Sequence, residues 1–65
     1  MAPKQKLKET LIKSIQFNQR WIVENFEKIQ KFKEAKLYDL VTITEEQNAA
    51  LQTMIKNQEA SLEAL

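Results

Sequence analysis

Two pairs of carboxylates are spaced so that a helix would hold each pair on one face: Glu24 with Glu27, and Glu59 with Glu63. Acids placed this way can divide the roles of general acid and general base, or offer oxygen ligands to a hard cation. Either chemistry needs a convergent third group, and none stands beside them. The chain has no His, no Cys and no Gly, and Asp39 is its only aspartate. Those absences remove the usual nucleophile–base dyads, the phosphate-cradling loop, the dinucleotide fingerprint and the zinc site. The glutamate pairs therefore read as solvated surface. No catalytic residue, metal ligand or cofactor is assigned, and the expectation is that the protein is not an enzyme.

A second chemistry to weigh is nucleic-acid binding. Lys4, Lys6, Lys8, Lys13, Arg20, Lys28, Lys31, Lys33 and Lys36 make the first part of the chain basic, and Phe17, Trp21 and Tyr38 have rings that could stack on bases. Two observations oppose it. The lysines are spread around the helix and alternate with acids, as in Glu9 with Lys13, Glu24 with Lys28 and Glu27 with Lys31. The segment that would serve as a recognition helix opens with Glu45-Glu46, which repels phosphate. A membrane-surface helix suits lysine flanks beside Phe, Trp and Ile, but Glu9, Glu24, Glu27 and Glu34 oppose binding to anionic lipid. A small nucleic-acid-binding or regulatory protein using the basic helix stays as an alternative; neither nucleic acid nor membrane is the expected partner.

The elements that would position these residues are helical. With no Gly and one Pro at position 3, the chain lacks almost every residue that punctuates strands and tight turns. The stretch Leu11 to Phe32 carries apolar residues every three or four positions, and Leu7, Leu11, Ile15, Ile22, Phe26, Ile29 and Phe32 fall on one helical face, with Leu40 returning to it. Phe17 and Trp21 lie on one flank of that face, Ile12 and Val23 on the other. A single hairpin partner cannot cover them all, and burying each such side chain is worth about 1.5–3 kcal/mol. Trp21, Ile22 and Phe26 are the expected centre of the interface. Asn18 and Asn25, seven residues apart between Ile15, Ile22 and Ile29, fit a coiled-coil register in which a buried amide costs stability but fixes alignment and partner number.

Val41 to Thr44 is the poorest helix-forming run, and Thr44-Glu45-Glu46-Gln47 directly after it fits a capping box. The sequence therefore predicts helix 1 over about 3–40, a break over about 41–44 and helix 2 over about 45–65. Leu51, Met54, Ile55, Leu62 and Leu65 form the stripe of helix 2, with Asn48 and Gln58 within or beside it and Ala49, Ala50, Ala60 and Ala64 allowing close approach. At 1.5 Å per residue these helices would measure about 55 Å and about 30 Å, leaving the amino-terminal third of helix 1 uncovered as the expected docking site. One continuous helix in a parallel coiled coil is the alternative geometry.

Sixty-five residues form one domain with a small core, and without cysteine or histidine the supplement left to it is association with protein. Residues 1–40 hold nine Lys or Arg against five acids, whereas residues 41–65 hold Lys56 against four Glu, so the two arms are electrostatically complementary. Lys36-Leu37-Tyr38 and Ile43-Thr44-Glu45-Glu46-Gln47, eight residues in all, resemble wording in short tail-associated proteins of phages that infect Gram-positive bacteria. That resemblance implies a phage virion or tail component as an alternative and carries over no residue roles. No apolar run approaches the roughly 18 residues of a membrane span, and no secretory signal is evident, so a cytoplasmic or particle-associated protein is expected. The reading is an all-α helical hairpin of one long and one shorter helix, assembling into an oligomeric bundle or coiled coil. Its function would be that of a non-enzymatic structural or interaction protein that self-associates or docks as a small subunit of a larger assembly. The interface would be built from Leu11, Ile15, Phe17, Trp21, Ile22, Phe26, Ile29, Phe32, Leu51, Ile55 and Leu62.

Overall fold

The computed structural model describes residues 3–65. Pro3 opens the first helix, where its missing N–H would have no intrahelical partner. This helix, α1, runs Pro3–Glu34, and Lys31 and Lys33 in its last turn meet the negative end of its dipole. The second, α2, runs Tyr38–Ala64 with Asp39 in its first turn. The two lie antiparallel as a hairpin 51 Å long and 16 by 11 Å across. No helix among the described residues is long and apolar enough to cross a membrane.

The chain reverses at residues 35–37, not at 41–44, and it does so without glycine. Leu37 N–H donates to Phe32 O at 2.8 Å and Lys36 N–H donates to Lys33 O at 3.0 Å, the paired bonds of a Schellman closure. That closure needs a left-handed residue, and Lys36 supplies it at φ 60°. A non-glycine residue there costs about 1 kcal/mol, which the hairpin sustains through the contacts that the reversal makes. Leu37 then stands at the α2 N-terminus with no side-chain cap, and Leu40 and Val41 donate to its carbonyl at 3.1 and 3.2 Å.

The β-branched run 41–44 is helical because two of its four residues, Val41 and Thr44, are buried. Each such residue gives up only about 0.5 kcal/mol of helix propensity, and Val41 and Thr44 recover more by facing α1. Thr44 caps nothing: its hydroxyl donates to Leu40 O at 2.7 Å, one turn back in the same helix. Gln47 likewise reaches across to α1 and not back to an N-terminus.

The buried and half-buried residues repeat every three or four positions in both helices. In α1 they are Leu11, Ile15, Asn18, Ile22, Asn25, Ile29 and Phe32, with Ser14 half-buried beside Ile15; in α2 they are Val41, Thr44, Asn48, Leu51, Ile55, Gln58 and Leu62, with Leu65 following as the C-cap. The Asn25–Asn48 hydrogen bond fixes the register. Counting outward from it puts Ile22 level with Leu51, Ile29 with Thr44, Phe32 with Val41 and Leu11 with Leu62. Leu65 comes level with Lys8, so α2 runs beside nearly all of α1. The amino-terminal third of α1 is therefore not left over, because the earlier turn lengthens α2 at the expense of α1.

The same spacing opposes the continuous-helix geometry. From Phe32 to Val41 is nine residues, a step that the three-and-four repeat does not contain. In an unbroken helix at about 100° per residue, Val41 would point away from Phe32 by half a turn, and the two seams could not share a partner.

Candidate protein interface

The seam between the helices is unusual in being half polar. Its buried apolar members are Ile15, Ile29, Val41, Leu51 and Ile55, and its buried polar members are Asn18, Asn25, Thr44 and Asn48. Asn25 is the most enclosed side chain, 1% exposed. Its Nδ2 donates to Asn48 Oδ1 at 2.8 Å and to Gln47 Oε1 at 3.1 Å, while its own Oδ1 is buried with no partner. Asn48 Nδ2 in turn donates to the Ile22 carbonyl at 3.4 Å. One heptad away, Asn18 Nδ2 donates to Gln58 Oε1 at 3.1 Å and to Met54 Sδ at 3.3 Å.

An interhelix hydrogen bond of this kind contributes about 0.5–1.5 kcal/mol net, and an orphaned buried acceptor costs about 1–3 kcal/mol. The amide layers are thus poor sources of stability. They are selective about alignment, since a helix slid by one turn would set these amides against isoleucine and leucine.

Of the residues expected to form the interface, Ile15, Ile29, Leu51 and Ile55 are buried in the seam, and Leu11, Ile22, Phe32 and Leu62 are half-buried there. Phe17, Trp21 and Phe26 are not in it. Phe17 and Trp21 remain on one flank, 63% and 36% exposed, with their rings edge-to-face at a centroid distance of 6.1 Å. Phe26, 54% exposed, lies on the opposite flank beside Ile12 and Val23. The structure thus does not gather Trp21, Ile22 and Phe26 at one centre. Ile22 is committed to α2, and the aromatic rings on either side of it look in different directions. Leu7 and Leu40 are likewise exposed: Leu7 lies past the level of Leu65, where α2 ends, and Leu40 stands one residue off the seam position that Val41 holds. Val41, Thr44 and Gln47 belong to the site although the sequence reading placed them in a break and a cap. The signal for Val41 and Thr44 is the three-and-four spacing carried back from Leu51 through Asn48 without regard to polarity; Gln47 is off that repeat and joins the site only by reaching to Asn25.

Compared with models of protein families, with curated proteins and with solved structures, the chain matches none.

The flank that holds Phe17 and Trp21 continues onto α2 as a second stripe: Leu40, Ile43, Gln47, Ala50, Met54, Asn57, Ser61 and Ala64. These also recur every three or four residues, and every one is exposed. None of the six charged residues of α2 falls among them. The opposite flank has a groove lined by Phe26 and Ile29 together with Lys33 and Glu45. Glu24, Glu27, Glu59 and Glu63 are all exposed, and no cluster of three metal-ligating side chains occurs among the described residues.

Proposed function

We propose that the protein is a non-enzymatic structural or interaction module that works by helix association, either with itself or as a small helical subunit of a larger assembly. The observation that carries this reading is the exposure of Phe17 (63%), Ile43 (61%), Val23 (58%) and Phe26 (54%) on a hairpin whose own seam is half polar. Each of these side chains would contribute about 1.5–3 kcal/mol on burial. The seam buries only five apolar residues, a thin core for a chain of this length. Association supplies what the hairpin lacks, and the amide layers keep the two helices in one alignment while it happens.

Sedimentation equilibrium over a dilution series, with helicity followed by circular dichroism, tests the reading. The expected result is a mass above the 7.7 kDa of one chain, with helicity falling as dilution separates the subunits. A fully helical monomer at every concentration overturns it.

A further inference from the structure

The association reading leaves open what covers the flank of Phe17 and Trp21, and the molecule itself offers a matching surface. We propose that the occupant is a second copy of this chain, seated so that α1 of each copy lies along α2 of the other and the two hairpins close an antiparallel four-helix bundle. This inference rests on the association reading and gives it a partner and a geometry.

Three observations support it. The exposed stripe of α2 from Leu40 to Ala64 is uncharged along its whole length, as a helix buried on two sides requires and a helix facing water on one does not. Its spacing is that of a second coiled-coil seam, set about a quarter turn or more from the first, which suits a helix with two neighbours at right angles.

Size is also complementary. At the level of Phe17 and Trp21, α2 presents Ala50, Met54 and Asn57. In the proposed dimer each large ring pair therefore meets the small Ala50 and the adaptable Met54 of the other chain.

Charge decides the orientation. Between Pro3 and Glu34, α1 carries eight Lys or Arg against four Glu, and between Tyr38 and Ala64, α2 carries Lys56 against five acids. The helices have net charges of +4 and −4. A two-fold axis along the hairpin lays α1 on the partner's α2 and brings opposite charges together; a two-fold axis across it lays α1 on α1 and sets like against like. The first arrangement is isologous and closed, so it stops at two copies. The flank of Phe26 serves less well, because charges stand on both of its helices, Lys33 on α1 and Glu45 on α2, whereas beside Phe17 and Trp21 the charges, Arg20 and Glu24, stand on α1 alone, facing the acidic α2 of the partner.

Single-cysteine chains test the geometry, since the protein has no cysteine of its own. Ser14→Cys and Ser61→Cys are conservative changes on the proposed face, one per helix. Mixed under mild oxidation at a concentration where the wild type is associated, they should form the mixed disulfide in preference to either homodimer, because a disulfide needs Cα atoms within about 7 Å. Ala50→Glu should weaken association about 100-fold or more by burying an unpaired charge. Val23→Glu, on the far flank, should change it by about twofold or less, and helicity of both is checked by circular dichroism. A preferred Ser14→Cys homodimer, no mixed disulfide, or an assembly indifferent to Ala50→Glu overturns this geometry and leaves self-association standing. A chain that is a fully helical monomer throughout overturns both.

Discussion

The buried amide pair offers the sharpest test of how this hairpin is held. Asn25→Leu removes the donor to Asn48 Oδ1, and Asn48 is only 5% exposed. Its acceptor would then be orphaned at a cost of about 1–3 kcal/mol, with about 1 kcal/mol more lost for each hydrogen bond of the Asn25 amide. Against this, the change deletes the orphan Oδ1 of Asn25, worth a similar 1–3 kcal/mol, and buries a leucine worth about 1.5–3 kcal/mol. The single variant should therefore lie within about 1–2 kcal/mol of wild type. Adding Asn48→Leu removes the stranded acceptor as well. The double variant should be more stable than wild type by about 2–4 kcal/mol, and it should exceed the sum of the two single changes by about 1–3 kcal/mol.

For a chain of this size such a gain raises Tm by about 10–25 °C. Urea and thermal unfolding, followed by circular dichroism at one fixed chain concentration, measure it; the concentration matters because association shifts apparent stability. The same variant should lose its single association state in sedimentation, since leucine at both positions no longer penalises a slipped register. A double variant less stable than wild type would refute the reasoning, because the amide layer would then be a net source of stability.

Three further outcomes are expected. Lys36→Gly relieves the left-handed backbone at φ 60° and should add about 1 kcal/mol, read as a higher urea midpoint; a lower midpoint contradicts the turn geometry. Thr44→Val should leave stability unchanged or raise it by up to about 1 kcal/mol, whereas loss of a true N-cap would lower it by about that amount, so the sign separates a mid-helix threonine from a cap. Ile22→Asp, which sets an unpaired charge in the seam level with Leu51, should cost several kcal/mol and abolish most helicity; retention of wild-type helicity would show that Ile22 does not face α2.

The period of α1 was legible in the sequence. Ile15, Ile22 and Ile29 with Asn18 and Asn25 between them form a seven-residue repeat that depends on local geometry alone, and the separation of Phe17 and Trp21 from Ile12 and Val23 follows from the same 100° step. The position of the turn was not legible. Lys36 gives no sign of its left-handed conformation, since only the packing of the two helices holds it there, and the β-branched run at 41–44 looked weaker than Ala35 to Leu37 until the burial of Val41 and Thr44 was known. Propensity differences of about 0.5 kcal/mol per residue are small beside what burial contributes.

Local periodicity by itself determined that this chain is helical, that it has one strong seam in α1, and that its apolar surface is wider than one partner. Only the tertiary structure decided where α2 begins, and hence which residues before Leu51 carry its Leu51, Ile55 and Leu62 stripe back along that seam. Two stripes with the same spacing run along α2 one residue apart, one through Val41, Asn48 and Ile55 and the other through Leu40, Gln47 and Met54. Their carboxy-terminal halves differ, Leu51, Leu62 and Leu65 against Ala50, Ser61 and Ala64, but their amino-terminal halves do not, since Val41 and Thr44 are no more apolar than Leu40 and Ile43. The turn at Lys36 and the Asn25–Asn48 hydrogen bond bring the first stripe against α1 and leave the second exposed on the flank of Phe17 and Trp21.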